Sequence, residues 1–304
     1  MNSFTNTRAK APVEFINDIR KRRADAAIAE KLGVSRSYVE TLIEGGLILV
    51  DGKTVKKSSR IGLGAHIYIE FPQESTPDIT PKEIPFDILL NESDYAVIDK
   101  PSGIAVHPGA GCFTDTLVNG LLFKFQIDDE TAGFRPGVVH RLDKDTSGLM
   151  IIAKNRRARE LFSKLFAEWR IDKYYLCIAH GKIDKKEFVI DAPIGRDRFH
   201  RKRMGVIPNG RAARSEVKVL KEYERAFFAE VKLCTGRTHQ IRVHFKHIKR
   251  PLMGDELYGG RRDFIARQAL HSSRLAFTDP FNHKHVEITA ELPADMRELL
   301  EKLV

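Results

Sequence analysis

The stretch HRLDKDTSGLMIIAK, His140 to Lys154, changes character halfway along. Its first half sets Asp143 and Asp145 among Arg141, Lys144, Thr146, Ser147 and Gly148; its second half, Leu149 to Ala153, is wholly apolar. An unbroken apolar run without alternation is the pattern of a strand covered on both faces. A charged loop therefore feeds a buried strand, and sites tend to be built on such loops. Neighbouring cations favour the charged form of a carboxylate. Ionised and poor in water, Asp143 is a candidate nucleophile or base. The competing reading is a solvated loop that happens to be charged.

The rest of residues 86–304 fits around that strand. YAVID (95–99), YYLCIA (174–179), SEVKVL (215–220) and FFAEVKLC (227–234) are short apolar or alternating runs, each a strand candidate. RARELFSKLFAEW (157–169) spaces Leu161, Phe162, Leu165, Phe166 and Trp169 along one helical face, which reads as core. Strands at irregular spacing with scattered helices predict an α+β fold with a mixed sheet rather than a βαβ barrel. Before it, residues 14–72 read as helix, helix, hairpin. Ser37 and Glu40 have capping-box spacing, Gly45-Gly46 stops the second helix, and Ile67, Ile69 and Phe71 alternate with polar neighbours. This is a small α+β unit with its own core. The proline-bearing residues 73–85 read as a linker and the polar residues 1–13 as a flexible N-terminus.

Among 304 residues, 51 Lys and Arg face 41 Asp and Glu, a net charge of +10 that calls for a polyanionic partner, nucleic acid first. No apolar run is long enough to span a bilayer and the N-terminus lacks a secretory core, so the expectation is a cytoplasmic protein, monomeric and off the membrane. Cys112, Cys177 and Cys234 are isolated, which argues against disulfides or a thiolate metal site. HPGAGCFTDT lacks the ending of a phosphate-binding P-loop, and there is no nucleophile-elbow serine. His239, His244 and His247 have no metal-site spacing and no nearby carboxylate in sequence. Neither cofactor nor metal is expected.

Two basic tracts remain. TGRTHQIRVHFKHIKRP (235–251) follows a core strand and carries Arg237, Arg242, Lys246, Lys249 and Arg250; one arginine pairs with Asp143 in this reading and the others meet phosphates. GRDRFHRKRMGVIPNGRAAR (195–214) carries Arg196, Arg198, Arg201, Lys202, Arg203, Arg211 and Arg214, and reads as a phosphate-tracking or simply solvated loop. A carboxylate suits chemistry at a glycosidic carbon, where positive charge develops. Residues alone thus reach a nucleic-acid enzyme that breaks or rearranges an N-glycosidic bond.

HRLDKDTSG closely resembles the catalytic motif of the RluA-type pseudouridine synthases. VIDKPSGIAVHPG (97–109), DKYYLCIAHG (172–181) and TGRTHQIRVHFKHIKRPLMGDELYG (235–259) resemble the other signature segments, in the family's order. Residues 14–71 resemble an S4 RNA-binding domain, with Ala24 standing where that pattern usually has leucine. The resemblance implies a pseudouridine synthase fold with a mixed, mainly antiparallel central sheet behind a small α+β S4 domain. It implies isomerisation of uridine to pseudouridine in RNA without cofactor or metal, with large-subunit rRNA or its assembly intermediate as partner. Asp143 matches the catalytic aspartate, attacking C1′ or C6 or acting through a glycal. Arg242 matches its arginine partner. Tyr175 matches the tyrosine that packs on the uracil, with Tyr174 the alternative. Arg141 matches the residue that fills the gap left by the flipped uridine. Lys100 and Pro101 fit the motif on the strand flooring the pocket, with a structural role weighing at least as much as a chemical one. Arg23, Ser35, Arg36 and Lys53 would line the RNA face of the S4 unit. A ribosome-associated RNA-binding protein without catalysis and an RNA N-glycosylase are the competing expectations.

Overall fold

The computed structural model describes residues 12–18, 22–71, 79–109, 114–129, 133, 135–197, 200 and 203–304. Most of the expected flexible N-terminus, residues 73–78 of the expected linker, Cys112, Arg198, Arg201 and Lys202 lie outside the described residues. The chain divides into two compact units between residues 76 and 77.

In the first unit, strands β1 (Val13–Ile16) and β2 (Arg22–Arg23) precede helices α1 (Ala24–Leu32) and α2 (Arg36–Glu44). Strands β3 (Ile48–Val50), β4 (Lys53–Thr54), β5 (Arg60–Ile61) and β6 (His66–Ile69) follow. The sheet runs β1-β6-β3-β4, and Val39, Leu42 and Ile43 of α2 pack with Ile28, Ile67 and Ile69 into one core. The N-terminus of α2 corrects the capping assignment: Ser35, with extended backbone, accepts the Tyr38 N–H at 3.3 Å, and Ser37 lies inside the helix.

The second unit is built on strands β7 (Asp87–Asn91), β8 (Tyr95–Lys100), β9 (Ser147–Ala153), β10 (Ile171–His180), β11 (Glu187–Asp191), β12 (Ile194–Arg196) and β13 (Met204–Val206). Strands β14 (Arg214–Glu222), β15 (Ala226–Leu233), β16 (Leu270–Thr278) and β17 (His285–Thr289) complete it, with helices α3 (Leu117–Lys124), α4 (Arg156–Ala167), α5 (Gln240–His247) and α6 (Ala294–Lys302). The nine strands of the main sheet among the described residues run β11-β14-β15-β10-β16-β9-β8-β7, with β17 also on β16. Only β9 and β16 pair in parallel; the sheet is mixed and mainly antiparallel. Every residue of β9 is buried because both faces are covered. Met150 and Ile152 join the core that holds Leu117 of α3 and Phe245 of α5, while Leu149 and Ile151 join Phe162 and Leu165 of α4.

The parallel pair fixes where the charged loop ends. Ser147 lies opposite His271 and Gly148 opposite Ser272, while Tyr175 of β10 also faces Ser272. The register shifts there, Tyr174 facing Arg274 and Tyr175 facing Ser272, so Ser273 of β16 is the extra residue and β10 keeps its alternation. Gly148 has φ +114°, and a Cβ there would stand 2.2 Å from the Ser272 carbonyl oxygen. Only glycine lets the two backbones approach so closely.

Trp169 corrects the helical stripe. It lies past the end of α4 with φ +58° and is 43% exposed, so it is not core.

Gly148→Ala should destabilise the fold by about 3 kcal/mol or more, since rigid backbone on both sides leaves nothing to yield; urea unfolding measures it. A second expectation concerns acid. His244 and His271 are fully enclosed, and burial pushes both imidazoles down, His271 to about 4. The unfolded chain binds protons from about pH 6.5 downward, whereas these folded rings do not. Stability is therefore full above about pH 6.5 and falls toward pH 4, by up to about 1.4 kcal/mol per pH unit for each ring. His271→Gln should flatten that decline in the urea midpoint.

Candidate active site

Three elements converge on Asp143. The loop that carries it is pinned at three consecutive residues. The Lys100 ammonium, fully buried at the end of β8, donates to the Lys144 carbonyl at 3.0 Å and to the Pro101 and Ile104 carbonyls. Arg267, itself paired with Asp295, donates to the Asp145 carbonyl at 3.1 Å. The Gln268 amide donates to the Thr146 hydroxyl at 3.1 Å. Lys100 and Pro101 do not line the cavity beside Asp143, which corrects their placement on its floor; Lys100 acts by holding the loop.

From α5, Arg242 donates through Nη1 to Asp143 Oδ2 at 2.8 Å. Its other edge is taken: Nε and Nη2 both donate to Asp255, each at 2.8 Å, in a bidentate pair. The Asp255 side chain is 1% exposed and that of Asp143 20%. Burial works against the Arg242 charge, but Asp255 first and Asp143 after it outweigh that cost and hold the guanidinium's pKa above its ordinary value.

The second oxygen of Asp143 faces His239. Oδ1 stands 3.7 Å from His239 Nε2, so the fold brings to one of the three histidines of this segment a carboxylate that is distant in sequence. Among the described residues no group of three or more such side chains is arranged to hold a metal. His239 opens α5 in left-handed conformation, φ +56°. Burial pushes its imidazole down against the pull of Asp143, leaving it neutral near pH 7. Tyr258, whose phenol burial pushes up to about 12, accepts the Met204 N–H at 2.9 Å and meets His239 Nδ1 at 2.8 Å. Where the phenol donates to Nδ1, the imidazole hydrogen sits on Nε2, on the side of Asp143.

Asp143, Arg242 and Tyr175 border one open cavity of about 350 Å³, with Phe166, Trp169, Lys173, Arg237, His239 and Leu270. That volume is at the small end for ligand sites and suits one nucleoside-sized group. Tyr175 is buried and burial pushes its phenol up to about 12. Tyr174 points to the opposite face, where the Arg274 guanidinium lies 3.6 Å from its ring centroid; it is not a cavity residue. Arg141 is exposed at the cavity edge, 3.5 Å from His107 Nε2.

The four residues expected to face RNA in the first unit are placed there separately. Arg23 and Arg36 both pair with the fully buried Asp25, at 2.9 and 2.8 Å, and the Arg23 guanidinium beside it holds that carboxyl well below the usual range. Both guanidinium groups are about half exposed. Ser35 caps α2, and Lys53 is exposed on β4.

Asp255, the pairing of His239 with Tyr258, and the Arg267 and Gln268 contacts that hold the loop were not visible in the sequence. The one usable signal was Asp255 within LMGDELYG, an acid between glycine and an aromatic, close after the basic tract.

The family model described as RNA pseudouridylate synthase matches residues 94–247, and the S4 domain model matches residues 22–67. The chain is 40% identical over 272 residues to an uncharacterized RNA pseudouridine synthase, YlyB, of Bacillus subtilis (strain 168), covering 88% of this chain and 89% of that one. It is 36% identical over 298 residues to ribosomal large subunit pseudouridine synthase D of Xanthomonas campestris pv. campestris, covering 93% and 89%. The solved structure of human RNA pseudouridylate synthase domain containing 1 matches with a TM-score of 0.59 at 25% identity, covering 72% of this chain and 94% of that one.

Asp255→Ala strands two donors of a buried guanidinium. It should cost about 3 kcal/mol or more of stability, the usual penalty for breaking a buried pair from one side. A urea midpoint lowered at constant slope measures it.

Proposed function

The chain belongs to the RNA pseudouridylate synthase family, and on that premise we propose that it isomerises uridines of large-subunit rRNA with Asp143 as the attacking carboxylate. Its activity class is RNA pseudouridine synthase, an isomerase. The rRNA target is supported by its likeness to the Xanthomonas protein whose name carries that substrate. The role of Asp143 rests on one observation: its carboxylate meets Arg242 at 2.8 Å on the wall of a cavity that Tyr175 also lines.

The steps balance without any co-reactant, because uridine and pseudouridine are isomers. The N1–C1′ bond breaks, the uracil turns, C5 bonds to C1′, the C5 proton leaves and N1 ends protonated. Asp143 joins C1′ as N1 leaves and is displaced there by C5, or adds to C6 and is eliminated once C5 holds C1′, or takes the C2′ proton on a glycal route and returns it as C5 bonds to C1′; Oδ1 is the oxygen left for this, since Oδ2 is held by Arg242. A hydrogen on His239 Nε2 stabilises that oxygen's charge before attack. Tyr175 stays a neutral phenol and offers a flat ring to the uracil, so any part it has in removing the C5 proton follows loss of its own. Arg141, exposed at the cavity edge, takes the place of the extruded uridine.

In the S4 unit, Arg23 and Arg36 fan out from the buried Asp25, with Lys53 nearby in sequence order, as a phosphate-contacting surface. Ser35 serves that surface by starting the helix that carries Arg36. An rRNA substrate goes with a cytoplasmic protein that works as a monomer.

Asp143→Asn keeps the side chain's volume and loses its charge. It should lower single-turnover pseudouridine formation in a large-subunit rRNA transcript by at least about 10³-fold while RNA affinity changes little. Turnover within tenfold of the parent enzyme would sink the assignment of Asp143.

A further inference from the structure

Trp169 is the chain's one tryptophan and stands where a helix ordinarily ends on glycine. Its N–H bonds the Phe166 carbonyl at 3.3 Å and the next N–H, of Arg170, bonds the Leu165 carbonyl at 2.9 Å, which closes α4 through a left-handed residue. A bulky side chain in that backbone region is strained, and strain of this kind gathers at binding sites. The indole is 43% exposed and lines the cavity that holds Asp143.

Two cations flank it. The Lys173 ammonium lies 5.5 Å from the indole centroid and 5.8 Å from that of Phe166; the Arg237 guanidinium lies 5.5 Å from the indole. Among the described residues neither has a carboxylate within ion-pair distance. Arg237 donates to the Ala212 carbonyl, and the nearest acid in sequence, Asp172, is paired with Lys232. Lys173 is only 7% exposed, so its charge is held by aromatic faces rather than by an anion or bulk water. Burial lowers it to about 8, which leaves it mostly charged near neutral pH. Along β10, Lys173 and Tyr175 are two residues apart and share a face, about 7 Å from each other. A partly exposed indole and two cations without an ion pair among the described residues therefore border the cavity on the side of Tyr175.

We propose that Trp169, Lys173 and Arg237 form a subsite for the nucleotide next to the flipped uridine, with its base stacked on the indole and its phosphate between the two cations. The subsite rests on the reading that the substrate is RNA and deepens it. It assigns Trp169 to substrate grip outside the reacting centre, where a base of any identity can stack.

The single tryptophan makes the test direct. The full chain is titrated with a single-stranded uridylate decamer, and with an abasic ribose-phosphate decamer of equal charge, while tryptophan emission is followed. The uridylate decamer should quench emission saturably and the abasic one should not. By the fluorescence anisotropy of a fluorescein-labelled uridylate decamer, which needs no tryptophan in the protein, Trp169→Leu should weaken binding about tenfold and Trp169→Phe should restore most of it; in an rRNA transcript Trp169→Leu should raise KM about tenfold with kcat unchanged. Lys173→Gln and Arg237→Gln should each reduce the salt slope of binding by about one. Emission unmoved by the uridylate decamer, or Trp169→Leu binding as tightly as the parent, overturns the subsite even where pseudouridine forms. Quenching and the Trp169→Leu loss in a protein that modifies no transcript would leave the subsite standing and remove the isomerase reading.

Discussion

One guanidinium carries two carboxylates. Arg242 spends its bidentate edge on Asp255 and a single N–H on Asp143, so the cluster has one positive and two negative charges. Asp255, almost fully enclosed, forms with Arg242 a neutral buried pair whose geometry supplies the hydrogen bonds that burial demands. The surplus negative charge stays on Asp143, the more exposed of the two. An Arg–Asp143 pair alone would be neutral. The second aspartate orients the guanidinium and leaves Asp143 bound but not neutralised. Lysine could not do this, because a point charge has no second planar edge.

That cluster works only if the Asp143 loop stands still, and the fold supplies the rigidity from the sheet. The β9–β16 parallel pair brings the start of β9 against Ser272, to which Tyr175 is registered from the other side. Gly148 permits the close approach. Three side chains from outside the loop then bind the Lys144 and Asp145 carbonyls and the Thr146 hydroxyl. These three contacts fix the loop through its backbone and the Thr146 hydroxyl and leave the Asp143 carboxylate to Arg242 and His239, and such support is what holds a site to working tolerance.

The sheet was largely legible because burial on two faces writes itself as unbroken apolar runs, as in Leu149 to Ala153. Asp143 was legible for a related reason: its charge abuts that run. Asp255 was not, since a loop acid has no periodicity and its partner comes from an element thirteen residues earlier. Lys100 was half legible; its motif was plain, but burial of an ammonium against three carbonyls is a tertiary fact. Trp169 was misread because helical spacing continues smoothly from Leu161 to Trp169, whereas the helix stops at Ala167 and turns left-handed two residues on. The capping serine was misplaced by two residues because Ser35 and Ser37 both suit the role, and only backbone conformation separates them.

Arg237 and Arg242 show how tertiary placement divides one basic tract between two tasks. They lie five residues apart and look interchangeable in sequence. Arg242 falls within α5, facing inward, and its donors are consumed by carboxylates. Arg237 falls in the turn before the helix, where Gln240 accepts its N–H, and its guanidinium meets a carbonyl and an indole but no anion. A buried guanidinium held between two carboxylates has no donor facing a phosphate, whereas one held by neutral groups at a cavity edge has. The same rule separates Lys100, exhausted by three carbonyls, from Lys173, held by aromatic rings. Around this cavity, then, the cations open to a further anion are set less by their number than by which of them the fold has left without one, while in the first unit Arg23 and Arg36 share one buried carboxylate and stay half exposed.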